Sequence, residues 1–380
     1  MSDEKMTEDN NFFAGRLLLT ILLLLFFVSA LLLLFVFLPG NQLPGNNPLH
    51  AQTDAKQYQL PSENSTVIFP EAHWPHKNFR HEWWYLSAIL KTEDGLRFAT
   101  QWTLFRTAVN KQHWYFAHAA LADTQLHRAE FRDGREELGN VELKKSPFSA
   151  RIDDWSWQSS AHLFPAELSY GSAKYFLAGG LNDDPQALRE NWQVKITLST
   201  SKPFYLQGVK GFSKKHPNKN IASFYYSQPF VEVKGKILWQ GEWQNITGEA
   251  WFDREWGSAM LAEEQQGWDW FSLRLNKDQA LMIYRIRSSQ DDFLYGSLMN
   301  SNGDIKTIKN EDIKLTSREI GEGGYPRGFT LKVEPFAIDM NIDILNDQQI
   351  MRFGIEYFEG MATFSGSHRG EGFVEMTGYH

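Results

Sequence analysis

The sequence predicts an all-β protein, and three observations carry that prediction. Segments such as residues 194–199 and 338–344 alternate apolar and polar side chains with a period of two, which is typical of half-buried antiparallel strands. Turn sequences such as Asp133-Gly134 separate these segments. Aromatic residues make up 14% of the chain, and they favour pleated sheet surfaces. Many short strands joined by turns indicate a sandwich or barrel architecture.

The N-terminal part of the chain is predicted to hold a membrane anchor. Between Leu17 and Leu38 the only polar residues are Thr20 and Ser29. At about 1.5 Å rise per residue, a helix of that length spans a hydrocarbon core of about 30 Å. The stretch is longer than the ~7–15 residues of a signal-peptide core, and no convincing cleavage site follows it. We therefore expect an uncleaved signal anchor.

The charges that flank the anchor set its expected orientation. Lys5 and Arg16 precede it, and no Lys or Arg follows it before Lys56. Because basic residues stay on the cytoplasmic side, we expect a single-pass protein of the inner (cytoplasmic) membrane whose C-terminal bulk is exported to the periplasm or cell exterior. The expected segments are a cytoplasmic tail at residues 1–16, a transmembrane signal anchor at 17–38 and a flexible tether at 39–65.

The rest of the chain contains a sequence echo. Residues 84–90 lead through a polar turn into residues 96–106, and much later residues 270–275 lead through another turn into residues 280–287. Both copies read as an aromatic pair that opens a strand, a turn, and a strand closed by arginine. A repeat at this separation predicts one β-unit used twice, although any two hairpins share part of such a pattern. The predicted domains are residues 66–245 and 246–380.

The arginines that end the echoed segments are predicted to have a structural role. In a small barrel, an arginine from a neighbouring strand can cover a tryptophan in a stacked cation–π contact. The expected pairs are Trp84 with Arg106, and Trp270 with Arg285 or Arg287.

Charge and composition argue against several classes of function. The formal net charge of −8 argues against a nucleic-acid partner, which requires a basic stripe. The chain has no cysteine, which excludes disulfides, thiol catalysis and cysteine-ligated metals. The G-x-S-x-G elbow of serine hydrolases does not occur.

Two dense motifs are the candidate site. Residues 79–85 set His81 and Glu82 beside aromatic residues, and residues 251–258 do the same with Asp253 and Glu255. In a strand, the two carboxylates of the second motif share one face. Aromatic neighbours desolvate a carboxyl group and raise its pKa, which favours a general acid. The alternative is a set of ion pairs that fix the junction between the domains.

A metal site has weaker support. His81, Glu82 and His118 could converge, but no recognised metal-ligand spacing such as H-E-x-x-H occurs. We expect neither a metal nor a cofactor.

Taken together, the motifs resemble the AttH/CrtC-type lipocalin-like family, which includes carotenoid 1,2-hydratases. The resemblance covers residues from about 65 to 380 and implies two tandem lipocalin-like antiparallel β-barrels after the N-terminal transmembrane helix. The residues that carry it are His81-Glu82-Trp83-Trp84-Tyr85, Phe105-Arg106, Ala117-His118-Ala119-Ala120, Trp251-Phe252-Asp253-Arg254-Glu255-Trp256-Gly257-Ser258, Gly267-Trp268-Asp269-Trp270-Phe271-Ser272 and Gly372-Phe373-Val374-Glu375-Met376-Thr377-Gly378-Tyr379.

The resemblance also implies a chemistry. In the hydratases an aspartate at the position of Asp253 is thought to protonate an isolated alkene, after which water adds to the cation. The chain departs from the hydratases in two places: Trp251 stands where they have a tyrosine, and their upstream His-x-Trp pair has Tyr225-Tyr226-Ser227 as its nearest counterpart. The expected catalytic candidates are Asp253, Glu255, His81 and Tyr85. The expected ligand-binding residues are Trp83, Trp102, His118, Trp251, Trp268 and Trp270.

Three functions follow as hypotheses. The first is a membrane-anchored exported protein that binds an apolar or lipid-like ligand, as an accessory to an ABC-type transporter permease. The second is a hydratase- or hydrolase-type enzyme that acts on an isoprenoid or lipid-like substrate, with Asp253 as general acid. The third is an interaction module whose aromatic residues are core.

Overall fold

The computed structural model describes residues 57–109, 111–172 and 190–379. The predicted cytoplasmic tail and transmembrane helix, with most of the predicted tether, lie outside these ranges. Within them, none of the helices has the length and the apolar composition of a membrane span. The described chain is built from β-strands, connected by turns and a few short 3₁₀ segments.

The first sheet is formed by thirteen strands from the N-terminal half of the described chain. Its strands are β1 His81–Thr92, β2 Arg97–Val109, β3 Gln112–Ala122, β4 His127–Gly134, β5 Val141–Lys144, β6 Ser149–Ile152, β7 Trp155–Ser159, β8 Ala166–Gly171, β9 Gln193–Ser199, β10 Tyr205–Leu206, β11 Phe212–Lys214, β12 Ala222–Trp239 and β13 Glu242–Gly257.

The second sheet is formed by ten strands from the C-terminal half. Its strands are β14 Gln265–Asn276, β15 Gln279–Ser288, β16 Phe293–Asn300, β17 Ile305–Ile308, β18 Ile313–Ile320, β19 Pro326–Val333, β20 Ile338–Ile344, β21 Ile350–Arg352, β22 Glu356–Gly366 and β23 Gly370–Thr377. The 3₁₀ segments are Glu71–His73, Glu136–Leu138, Asn310–Asp312, Glu322–Gly324 and Glu334–Phe336.

Both sheets follow the same plan. The first has the strand order β4-β3-β2-β1-β13-β12-β9-β8-β7-β6-β5, and the second has β17-β16-β15-β14-β23-β22-β20-β19-β18. In each, the first strand of the sheet pairs antiparallel with its last strand. The sheets also curl, since β4 lies against β6 and β16 lies against β18. The described fold is therefore all-β with two curled, barrel-like sheets, which agrees with the predicted reuse of one β-unit.

The two sheets divide between Gly257 and Gln265, whereas the sequence placed the domain boundary at residues 245 and 246. The difference arises because β13 belongs entirely to the first sheet, where it pairs along its whole length with β12 and with β1. The motif at residues 251–258 therefore lies in the last strand of the first sheet.

The echoed segments form the hairpins β1–β2 and β14–β15, but their structural alignment is shifted by one residue from the predicted one. Trp84 lies in the interior of the first sheet, whereas Trp270 faces outward and Phe271 lies in the interior of the second. The equivalent of Trp84 is therefore Phe271. Since side chains alternate between the faces of a strand, a slip of one residue exchanges the faces.

The predicted arginine–tryptophan pairs are wrong. Arg254, and not Arg106, stacks on Trp84, with its guanidinium carbon 3.7 Å from the ring centroid. Arg106 instead forms an ion pair with Glu82, directly opposite it on the neighbouring strand, and Glu82 also pairs with Arg254. All three residues are buried.

The second sheet repeats this ion pair and does not repeat the stacking on tryptophan. Arg285 lies opposite Asp269 and pairs with its carboxylate at 2.7 Å between Nη2 and Oδ2. Arg287 stacks on Tyr379 at 3.7 Å from its ring centroid. Trp270 is covered by neither arginine because it faces the first sheet.

Candidate functional site between the two sheets

The outer faces of the two sheets pack against each other along a seam. We define the seam as the contact of β12, β13, β1, β2 and β3 with β15, β14, β23 and β22. Trp270 of the second sheet packs edge-to-face against Tyr85, with ring centroids 5.4 Å apart, and against Trp251 at 5.9 Å. Apolar side chains from both sheets form one buried cluster here, so the seam is a packed interface.

One line of directly opposite residues crosses the first sheet at the seam. It runs Ser227, Asp253, Tyr85, Thr103, His118 over five neighbouring strands. We call it the first row. All of its members are buried, and cross-strand partners on one face have Cβ atoms about 4.5–5.5 Å apart. The row therefore brings residues distant in the chain into one continuous strip.

A second row faces it from the other sheet. It runs Tyr284, Trp270, Glu375, Glu359 over β15, β14, β23 and β22. Glu359 is fully buried and Glu375 is partly buried. The two rows together set aromatic rings and carboxyl groups from both sheets against each other.

Asp253 is the central acid of the seam. It is 4% exposed, and both of its oxygens accept hydrogen bonds: Trp251 Nε1 donates to Oδ1 at 2.9 Å, and the Tyr225 hydroxyl donates to Oδ2 at 2.8 Å. Burial raises the pKa of Asp253 to about 7, although these hydrogen bonds and one from Ser227 act in the opposite direction. At neutral pH the carboxyl group is thus a source of protons.

Glu359 and Glu375 form a second acidic centre. Burial, with the charge of Glu375 as the next cause, raises the pKa of Glu359 well above its usual range. Burial also raises the pKa of Glu375 to about 7, although Trp268 Nε1 donates to its Oε1 at 2.8 Å. Two carboxyl groups this close do not both ionise readily, so the pair retains a proton at neutral pH.

The tyrosines of the seam stay protonated. Burial raises the pKa of Tyr85, Tyr225 and Tyr357 well above the ordinary value of 10, so each keeps a hydroxyl that can donate. The Tyr357 hydroxyl lies 2.7 Å from His118 Nδ1. Burial lowers the pKa of His118 to about 3, which leaves the imidazole neutral.

Glu255 has different surroundings from Asp253, although the two share a face as predicted. Its carboxylate pairs with Lys215, with Nζ 2.8 Å from Oε1, and accepts a hydrogen bond from Ser223. The Lys215 ammonium also lies 4.6 Å from the ring centroid of Tyr284. Glu255 is therefore a carboxylate with a cationic partner, whereas Asp253 has none within the described part of the chain.

A cleft of about 250 Å³ opens in the seam one step along the strands from the two rows. Trp251 and Ser87 form its wall on the first sheet, and Ser272 and Phe373 form its wall on the second. Each of the four lies two residues from a member of a row, on the same face of its strand. Because the Trp251 indole donates to Asp253, this side chain connects the cleft with the acid.

The mouth of the cleft carries charged residues. Arg274 Nη1 lies 3.1 Å from Glu249 Oε1, and Glu371 pairs with Lys91 at 3.1 Å and with Arg97 at 3.0 Å. Arg274 and Glu371 are half-buried, whereas their partners Glu249, Lys91 and Arg97 are exposed.

Most of the predicted site residues lie in the seam. Asp253, Glu255, Tyr85, Trp83, His118, Trp251, Trp268 and Trp270 contribute to it. His81 lies at one end of β1 and contacts Thr107, with His81 Nδ1 3.0 Å from Thr107 Oγ1. Burial lowers its pKa to about 3.

Trp102, which the sequence predicts as a ligand contact, lies elsewhere. It is 1% exposed in the interior of the first sheet, where its ring centroid is 5.6 Å from that of Trp157. The alternation of β2 explains this position, because Gln101 and Thr103 take the face toward the seam.

Three seam residues escaped prediction from the sequence: Tyr225, Glu359 and Glu375. In the sequence Tyr225 stands only as the counterpart of a missing motif, and Glu375 stands only within the closing segment that resembles the family. Glu359 lies among apolar residues in the middle of β22, and a buried acid in such a run is a signal of an unusual environment.

Comparisons with known proteins agree with the sequence resemblance. The family model described as AttH-like matches residues 60–379. A protein from Nitrosomonas europaea assigned as an AttH has a solved structure with a TM-score of 0.74 and 27% sequence identity; the match covers 84% of this chain and 99% of that one. None of the curated proteins compared with the chain matches it in sequence.

Two further solved structures share the fold at lower identity. Kievitone hydratase from Nectria haematococca has a TM-score of 0.63 and 15% identity, with 84% of this chain and 96% of that chain covered. CghA with Sch210972 has a TM-score of 0.51 and 12% identity, with 85% and 96% covered. Likeness at this level of identity shows the fold alone.

Proposed function

Since this chain belongs to the AttH-like family, whose model covers residues 60–379, we propose that it is a hydratase-type enzyme acting on an apolar, unsaturated small molecule bound in the seam. The observation that carries the proposal is Asp253, a buried carboxyl group with a pKa of about 7, held between aromatic side chains next to a cleft. A general acid is most effective when its pKa is near the working pH.

The first chemical step is transfer of a proton. The protonated carboxyl group of Asp253 gives its proton to one carbon of a carbon–carbon double bond, and the π electrons form the new C–H bond. The aspartate left behind is stabilised by the hydrogen bonds from Trp251 and Tyr225. Because those hydrogen bonds strengthen as the carboxyl group becomes charged, they favour the transition state over the starting acid.

The second step is addition of water to the cation. Trp251 points its indole N–H at Asp253, and Trp270 packs edge-to-face against Trp251. A cation that forms over the face of either ring is stabilised by about 0.5–2 kcal/mol. A water oxygen then forms the C–O bond and loses a proton, which returns to the carboxylate of Asp253 and restores the acid. The net reaction adds one water to one double bond, with no change of oxidation state.

The shape of the cleft supports a small, largely apolar substrate. Ala88, Ala250 and Phe373 form an apolar part of its wall, beside the hydroxyls of Ser87, Thr247 and Ser272. Apolar wall of this kind binds apolar parts of a ligand through buried area. The charged mouth at Arg274 and Glu371 leaves room for a polar end of the substrate in water. That one of the structural neighbours is named a hydratase is compatible with this reaction class.

The test is turnover by the full-length chain. We expect a panel of uncharged terpenoid alkenes in heavy-oxygen water to yield a labelled alcohol, detected by mass spectrometry. Asp253→Asn should abolish the product while the far-ultraviolet circular dichroism stays unchanged. The matched control, Asp291→Asn, changes an exposed aspartate in the β15–β16 connection and should keep full turnover. Equal turnover by Asp253→Asn would reject the proposal.

A second candidate function is binding without turnover. It is favoured by the completeness of the Asp253 hydrogen bonds, which satisfy both oxygens in the way a structural polar network does. In this case the chain is an accessory to an ABC-type permease, anchored through residues 17–38 with its bulk exported. Protease treatment of spheroplasts would test that topology, since digestion of the C-terminal bulk from outside requires export.

A further inference from the structure

Three polar side chains of the seam, those of Tyr85, Thr103 and Glu359, make no hydrogen bond to the proton donor Asp253. Tyr85 and Thr103 are neighbours in the first row, on the side of the row away from Ser227. Glu359 reaches the same region from β22, since the hydroxyls of Tyr85 and Tyr357 both act on its pKa, and Tyr357 meets His118, the next member of the first row. The three groups therefore converge from two sheets.

These groups are buried but poorly paired. Tyr85 is 5% exposed, Thr103 is 1% exposed and Glu359 is 0% exposed. Among the described residues, neither the two hydroxyls nor either carboxyl oxygen of Glu359 makes a hydrogen bond of regular geometry. The hydroxyls of Tyr85 and Tyr357 are nevertheless close enough to Glu359 for loose hydrogen bonds, which lower its pKa and leave the carboxyl group only weakly paired. Because a buried polar group without a partner costs about 1–3 kcal/mol, such a convergence indicates a binding site for a third polar group.

Two amides extend the polar region. Gln101 Oε1 and Gln349 Nε2 are also buried without a regular hydrogen bond among the described residues. Gln349 adjoins Glu359, since the backbone nitrogen of Glu359 donates to the backbone carbonyl of Gln349 at 3.0 Å. The region therefore offers both donors and acceptors, as a neutral oxygen function requires.

The charges around this region disfavour an anionic ligand. Burial and the charges of other carboxyl groups raise the pKa of both Glu359 and Glu375. The imidazole of His118 is neutral because burial lowers its pKa to about 3. A phosphate or carboxylate would thus be desolvated beside acids without a cation.

We propose that Tyr85, Thr103 and Glu359 form a subsite that binds a neutral oxygen atom, a hydroxyl or a carbonyl, on an otherwise apolar ligand. The protonated carboxyl group and the phenol donate to that oxygen, and Thr103 donates or accepts. The subsite adds a ligand class to the proposed function and rests on it only in taking this ligand to be the substrate of Asp253. The substrate is then an unsaturated, oxygenated molecule and not a plain hydrocarbon or an acid.

Equilibrium binding tests the subsite apart from catalysis. Full-length protein carrying Asp253→Asn is titrated with three probes on one carbon skeleton: farnesol, farnesene and farnesoic acid, followed by tryptophan fluorescence. Farnesol should bind at least about tenfold more tightly than either of the others, since two hydrogen bonds to buried partners are worth a factor of that size. Equal affinity for all three, or preference for the acid, overturns the proposal.

Two further variants locate the binding. Adding Thr103→Val should lower the affinity for farnesol about fivefold and leave the affinity for farnesene unchanged. Adding Thr316→Val, an exposed position on β18, should change neither. Loss of affinity for both probes with Thr103→Val would count against the subsite. If the protein prefers farnesol but the unmodified chain shows no turnover, the subsite stands and the hydratase activity is rejected. If the unmodified chain shows turnover but the protein does not prefer farnesol, the hydratase activity stands and the subsite is rejected.

Discussion

Glu359 and Glu375 lie directly opposite each other on β22 and β23, on the face that packs against the first sheet. Two carboxyl groups in this position are costly when both are charged, because their repulsion adds to the loss of hydration. Burial and the charge of Glu375 raise the pKa of Glu359, and burial with the charges of Asp253 and Glu255 raises the pKa of Glu375. The pair is stable in the folded protein as long as it keeps a proton.

The stability of the protein should therefore depend on pH through Glu375. Its pKa is about 7 in the folded state and near 4.5 in the unfolded chain, so the folded state binds more protons between these values. The free energy of unfolding contributed by this group falls as pH rises through that window and then levels off. Relative to the unmodified protein, Glu375→Gln should gain on the order of 2–3 kcal/mol between pH 4.5 and 7.

Urea denaturation at a series of pH values checks this prediction. Comparing variant and unmodified protein at each pH cancels the buried histidines, whose lowered pKa values change stability in the opposite direction. Glu311→Gln, an exposed position, serves as the control. A difference between Glu375→Gln and the unmodified protein that does not change with pH would show that Glu375 titrates normally.

Turnover should be lost at alkaline pH because Asp253 must be protonated. With a pKa of about 7, the protonated fraction falls tenfold for each pH unit above about 8. In the unmodified protein, kcat/KM should therefore fall with rising pH along a single alkaline limb. Asp253→Asn should lower kcat/KM by about 10²–10⁴ at neutral pH. A flat profile up to pH 9 would exclude Asp253 as the proton donor.

Replacement of Tyr225 should move the alkaline limb. The Tyr225 hydroxyl donates to Asp253 and favours its ionised form, so Tyr225→Phe should raise the pKa of Asp253 and carry activity about one unit higher in pH. Stability should fall by about 1 kcal/mol for the lost hydrogen bond. Tyr58→Phe, whose hydroxyl accepts from the Lys111 backbone, should leave the limb in place. A limb that moves down would contradict the assigned hydrogen bond.

The buried ion pairs at Glu82 should matter for folding and not for chemistry. Glu82 pairs with Arg106 and Arg254 inside the first sheet, and removing one partner of a buried pair costs about 3–5 kcal/mol. Glu82→Gln should lower the free energy of unfolding by that order, measured in urea. The pH limb of any remaining activity should stay unchanged, and a shift would mean that Glu82 acts on Asp253.

Local patterns were sufficient to predict part of the site. Asp253 and Glu255 are two residues apart in a strand, so their common face follows from the alternation of side chains. The choice of face does not follow, since the interior and the seam both bury apolar residues. Trp84 and Trp270 show the consequence: they look equivalent in sequence, yet they point to opposite faces of their strands.

Long-range pairing accounts for what the sequence could not indicate. The environment of Glu359 is created by Glu375, Tyr85 and Tyr357, which come from three strands in two sheets. Tyr225 can donate its hydrogen bond to Asp253 only because β12 pairs with β13. No window of sequence contains these partners together, and such registers are set by the whole sheet.

The pairing of the first with the last strand of each sheet has a kinetic consequence. Asp253 lies on the last strand of the first sheet and Glu375 on the last strand of the second. Contacts between such strands close long loops, which gives a high contact order and folding on the millisecond-to-second scale or slower. During synthesis Tyr85 therefore emerges long before Asp253, the acid directly opposite it on β13. Catalytic competence should consequently arise late in folding, and a chain that ends before β23 should have none.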